Sequence, residues 1–161
     1  MHLARVGSLI LRFGEFVCAA VVLGIMAYFL SQYHHTHSGP HGREIYTLVV
    51  AVLALILSLI WMIPTLTHML HYPMDFIISA AWFAAFGILV NYLRGQNCGG
   101  VFHWGGIQHG GYCGEWKAAE AFSFISACLW LASFLLGIYI YHKLRNRDSR
   151  DSRGNHGAAT V

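Results

Sequence analysis

Four stretches of the chain are apolar almost without a break: Leu9 to Leu30, Thr47 to Thr67, Phe76 to Leu93, and Ala118 to Tyr141. Each is close to the roughly 20 residues that an α-helix needs to cross about 30 Å of hydrocarbon. None alternates apolar with polar positions, which favours helices over barrel strands as the way to satisfy a backbone in lipid. The pattern predicts an all-α, integral membrane four-helix (tetraspan) bundle.

The polar segments divide the rest. Residues 1–8 form a short arm, 9–142 the four-span domain with outer loops at about 31–46 and 94–117, and 143–161 a basic tail expected to be disordered. Ser38-Gly39-Pro40 is a turn signal in the first outer loop, and Pro64 ends or kinks the second span. His68 to Tyr72 leaves so short an inner turn that spans two and three should form a tight antiparallel hairpin. Eight of the seventeen glycines fall in the second outer loop, which has little intrinsic shape.

Composition supports lipid as the solvent: 57% of residues are hydrophobic and only 11% charged. The basic residues set an orientation. Arg5 and Arg12 lie at the start, and Lys143, Arg145, Arg147, Arg150 and Arg153 follow the last span, against Arg43, Arg94 and Lys117 on the other side. By the positive-inside rule both termini are cytoplasmic. Tyr28 to Gln32 offers no small-x-small cleavage site, so the first span reads as an uncleaved signal anchor in a plasma-membrane or secretory-pathway protein.

Three charges fall at span ends. Arg12 and Glu15 lie three apart on one helical face, where they can pair near the inner interface; the sharper alternative turns Glu15 inward as a functional carboxylate. Asp75, two residues after Pro73, suits the positive end of a helix dipole, with a buried binding carboxylate as the second reading. No span carries an acid or base at its centre, so no proton relay or ion path is evident.

Cys98 and Cys113 both fall on the outer, oxidising side, where a disulfide between them would contribute about 3 kcal/mol. Cys18 and Cys128 read as small packing residues within spans one and four, with acylation of Cys18 a second reading. Histidine is abundant, at eleven residues, with His34, His35, His37 and His41 bunched in the first outer loop. Such imidazoles could bind Zn²⁺ or Cu²⁺, or gain charge on acidification, although a solvated polar loop is the simpler reading. No histidine sits mid-span, which argues against haem, and no cofactor, nucleophile-base pair or nucleic-acid surface emerges.

Small residues recur at helical spacing: Ala119, Ser123 and Ala127 in span four, Ala80 and Ala84 in span three, Ala54 and Ser58 in span two, Ala20 and Gly24 in span one. Such faces let membrane helices approach closely, within the bundle or between copies of the chain. Tyr33, Tyr46, Trp104, Tyr112 and Trp116 outside, with Tyr139 and Tyr141 inside, have the placing of interfacial anchors.

Met74-Asp75-Phe76-Ile77-Ile78, Tyr92-Leu93-Arg94, the Cys98 and Cys113 pair, and Trp116 to Phe124 together resemble fungal MARVEL-domain proteins. The resemblance covers about residues 6–142. It implies an M-shaped tetraspan domain with cytoplasmic termini, no catalytic activity, Asp75 as the acid opening span three, and Cys98 with Cys113 as the outer-loop pair. The histidine cluster is not part of that pattern. The expected function is non-enzymatic organisation of membrane domains or assistance to trafficking, through contact with membrane lipids and association with itself or other membrane proteins. The alternative is a small transporter or sensor subunit whose outer histidines bind metal or read pH.

Overall fold

A computed structural model describes the backbone of residues 2–36, 41–62, 71–95 and 111–158, with side chains over 6–31, 42–62, 73–95, 113–143 and 145–146. It contains four helices, α1 (His2–Thr36), α2 (His41–Met62), α3 (His71–Gly95) and α4 (Tyr112–Ala158), and no strand among the described residues. Each has a segment long and apolar enough to cross a bilayer: Val6–Ser31, Gly42–Met62, Pro73–Gly95 and Cys113–Lys143. The protein is a tetraspan helical membrane protein.

The helices outrun the apolar runs that announce them, because a helix once begun continues until a residue breaks it. α1 passes Leu30 and reaches Thr36, stopping short of Ser38-Gly39-Pro40, and α2 resumes at His41. Most of the expected first outer loop is therefore helical. α4 likewise runs on to Ala158, so the described part of the tail is helix, as its lack of proline allows. α3 begins at His71, and Pro73 falls in its first turn, where a missing N–H costs nothing. α4 opens after Gly111, whose φ of 88° is accessible to glycine with no steric cost, and the Gly111 carbonyl accepts from the N–H groups of Gly114 and Glu115 at 2.9 and 3.2 Å.

The four helices form a ring in chain order. α1 packs on α2 and α4, and α3 on α2 and α4, while the backbones of diagonal helices stay apart. The α3–α4 interface is the most extensive and α2–α3 the thinnest, so the expected tight hairpin is the weakest seam of the ring. A core of Val22, Met26, Ala54, Trp82, Ala85, Leu89 and Ala119 fills the interior. The Ser79 hydroxyl donates to the Ala127 carbonyl at 2.9 Å, an interhelical bond of the kind that ties helices in lipid.

Candidate functional site

Arg12 lies within the first spanning segment, where a guanidinium facing lipid would be costly. It turns inward and is 8% exposed. Its Nη1 donates to Glu15 Oε2 at 2.8 Å and to Asp75 Oδ1 at 3.0 Å, and its Nη2 donates to Asp75 Oδ2 at 2.8 Å. The second oxygen of Glu15 accepts the Ser133 hydroxyl at 2.5 Å. The guanidinium also lies over Trp61 and Trp130, 4.7 and 5.2 Å from their ring centroids, and those rings meet edge to face at 5.5 Å.

All four helices meet at this node: Arg12 and Glu15 from α1, Trp61 from α2, Asp75 from α3, Trp130 and Ser133 from α4. The Arg12–Asp75 fork and the Trp61–Trp130 contact span the two diagonals that no backbone contact closes. Bidentate pairing and cation–π contact are the strong forms of arginine recognition, and both gain from exclusion of water. Two carboxylates share one guanidinium, so the ionised node carries one excess negative charge. Its chemistry is that of a clamp.

The three charges singled out in the sequence are thus brought together. Arg12 pairs with Glu15 as expected, and Asp75 is buried and grips Arg12 across the bundle. Sequence reasoning missed Ser133, Trp61 and Trp130, since nothing local marks a serine or tryptophan as the partner of a distant charge.

At the opposite end the tie is aromatic. Trp116 stacks on Phe29 with centroids 4.7 Å apart and touches Tyr92 at 4.8 Å, while the Arg43 guanidinium lies 5.5 Å from the Tyr92 centroid. Trp116 is fully buried, which corrects its reading as an interfacial anchor; Tyr139 and Tyr141 at the other end are exposed as anchors should be. Glu44, Lys117, Glu120 and Ser123 are buried nearby in sequence. Glu120 lies two turns inside the spanning segment of α4, 2% exposed, with no hydrogen-bond partner for Oε1 among the described residues.

The small-residue faces part company. Ala119, Ser123 and Ala127 of α4, with Ala54 and Ser58 of α2, are fully buried and pack the bundle itself. Ala80 and Ala84 of α3 and Gly24 of α1 are exposed, and Ala20 is half-buried. A Cβ added at Gly24 would meet nothing within 4 Å.

His34 and His35 fall in the last turns of α1 and His41 opens α2, but their side chains, like all of His37, lie outside the described residues. Among the described residues no group of three potential metal ligands occurs. Cys113 is disulfide-bonded, and Cys98 lies outside the described residues. Cys18 is buried with a free thiol and Cys128 is free and exposed on α4.

The chain is similar to an uncharacterized membrane protein of Saccharomyces cerevisiae, with 26% identity over 93% of its own length. It spans about half, 52%, of that relative. The membrane-associating domain family MARVEL matches residues 4–136, a stretch that includes part or all of each helix, both ties and the whole Arg12 node. The chain belongs to the MARVEL family.

Proposed function

We propose that this protein is a non-enzymatic organiser of membrane domains that works by lateral association and lipid contact, with both termini in the cytoplasm. The observation that carries the reading is the pair of small-residue stripes left outside the bundle. Ala20, Gly24 and Ala27 follow one another along α1, and Ala80, Ala84 and Gly87 along α3, all half-buried or exposed. Because α1 and α3 are diagonal in the ring, the stripes point away from each other. An α1 stripe docking on the α3 stripe of a second copy is a heterologous contact, which repeats into rows within the membrane plane.

The Arg12 node and the Trp116 stack hold the bundle rigid, so that the two stripes keep a fixed relation. A Cys98–Cys113 bridge is part of the proposal, as the clasp of the second outer loop, which would then be a fixed recognition surface. The test is energy transfer between labelled copies of the full chain in single-phase bilayers. Gly24→Leu together with Ala84→Leu should abolish transfer at a density where the parent chain associates. Transfer unchanged by both substitutions rejects the stripes as contacts.

A further inference from the structure

Between the two ties, the buried side of α4 is polar. Glu120, Ser123 and Ser126 recur every three residues, and all three are buried. Glu120 Oε1, Ser123 Oγ and Ser126 Oγ have no hydrogen-bond partner among the described residues, nor has the indole N–H of Trp82 on α3. Other buried serines behave differently. Ser58 donates to the Leu55 carbonyl at 2.8 Å, Ser79 to the Ala127 carbonyl, and Ser133 to Glu15. Back-bonding to its own helix is open to any helical serine. Ser123 and Ser126 both forgo it, beside an acid and an indole in the same condition.

The four groups share one level of the bundle. Ser79 bonds to Ala127, so Trp82, three residues further along the antiparallel α3, comes level with Ser123 and Phe124; the Phe83–Phe124 contact, with centroids 6.3 Å apart, agrees. α2 and α4 run in the same direction with Trp61 against Trp130, which sets Ala54 level with Ser123 and Ala51 level with Glu120. The backbones of these diagonal helices stay apart, and Ala51, Ala54 and Ala119 are fully buried. At the level of Trp61 and Trp130 two indoles fill the diagonal; at this level small side chains face the unpartnered groups. Aromatic ties close the space at both ends. Trp116 lies on Phe29 and Tyr92 one turn before Glu120, and Trp130, with Trp61 and Arg12, lies one turn after Ser126.

We propose that this level of the bundle is a closed water-binding chamber, in which a short file of water molecules bridges Glu120, Ser123, Ser126 and Trp82. Side chains three apart on a helix have Cβ atoms about 5–6 Å apart. One water making two hydrogen bonds of about 2.8 Å spans that distance. Two such bridges reach from Glu120 to Ser126, about 9 Å along the helix axis. The polar types suit a water file: the indole donates, the carboxyl oxygen accepts, and each hydroxyl does both. A buried water is held by two to four polar partners, and these groups supply them where neither lipid nor the apolar core can satisfy them. The chamber belongs to the interior of the fold and goes beyond the association of copies through their outer stripes.

The test is water-edited solid-state NMR on the full chain in lipid bilayers, with serine, tryptophan and glutamate isotopically labelled. At short mixing times the signals of Ser123, Ser126 and the Trp82 indole should gain magnetisation from water at least threefold faster than that of Ser79, whose hydroxyl is already bonded. Build-up at Ser123 and Ser126 as slow as at Ser79 overturns the proposal. Ala54→Leu, checked for unchanged helicity, should lower transfer to Trp82 at least threefold by occupying the space. Should that variant fail to fold, Ser123→Ala with Ser126→Ala should lower it by removing the partners. Undiminished transfer in the folded variant overturns the chamber. Exchanging sodium for a bulky organic cation should leave the Glu120 carboxyl signal in place, and a shift of that signal makes the occupant a cation and overturns water as the ligand. Gly24→Leu with Ala84→Leu should leave water transfer unchanged, which separates this inference from the association reading; transfer lost in that variant overturns a chamber built within one copy.

Discussion

The two ends of the bundle solve one problem with different chemistry. At the end where the chain begins, one guanidinium is held by two carboxylates and two indoles, and both oxygens of Glu15 accept a hydrogen bond. At the other end Trp116 lies between Phe29 and Tyr92, and a buried carboxylate oxygen of Glu120 finds no donor among the described residues. A charged tie is conditional on all its members, since removing one strands the others in a medium that cannot solvate them. An aromatic tie loses only the area of the ring removed. The contrast predicts unequal responses to mutation.

Arg12→Ala is the sharpest break. It leaves Glu15 and Asp75 buried without their cation, which should lower stability in bicelles by about 4 kcal/mol, read from denaturant or steric-trap unfolding. The triple change Arg12→Met, Glu15→Gln, Asp75→Asn should recover most of that loss, because the charges vanish together. If the triple variant is as unstable as Arg12→Ala, charge is not what the node contributes. Trp116→Ala should cost about 3 kcal/mol by the same measurement, with no second substitution able to rescue it. Glu120→Gln should change stability by less than about 1 kcal/mol in either direction, whereas Glu15→Gln should cost about 2 kcal/mol, since only Glu15 accepts two bonds as a carboxylate. Equal effects at the two positions would erase the distinction between the ends. The smallest effect is expected for Ser79→Ala, about 0.6 kcal/mol for one interhelical hydrogen bond.

The sequence announced the four spans because hydropathy is additive along a helix and needs no knowledge of partners. Helix ends were harder: α1 and α4 continue beyond their apolar runs, where water accepts a helix as readily as a loop and hydropathy carries no signal. The node was half legible. Arg12 and Glu15 meet by helical spacing alone, but Asp75 is 63 residues from Arg12 and Ser133 is 118 from Glu15, and no local rule couples such positions. The burial of Glu120 was not legible, since a span read from Ala118 places it in the first turn, where an acid is ordinary. The small-residue stripes all looked alike in sequence; which side of a helix faces its neighbours depends on ring order, and that is a tertiary fact.

α4 is one helix of 47 residues, about 70 Å long, in which the stretch after Lys143 accounts for about 22 Å. It behaves as a lever whose fulcrum is the packing against α3 and whose long arm extends past the spanning segment. A sideways displacement of a few ångströms at Ala158 tilts the rod by only a few degrees, yet the tilt is felt at Ser133 and Trp130, where the diagonal contacts tolerate little misalignment. Force applied to the tail thus has a mechanical route to the one place where all four helices are held together.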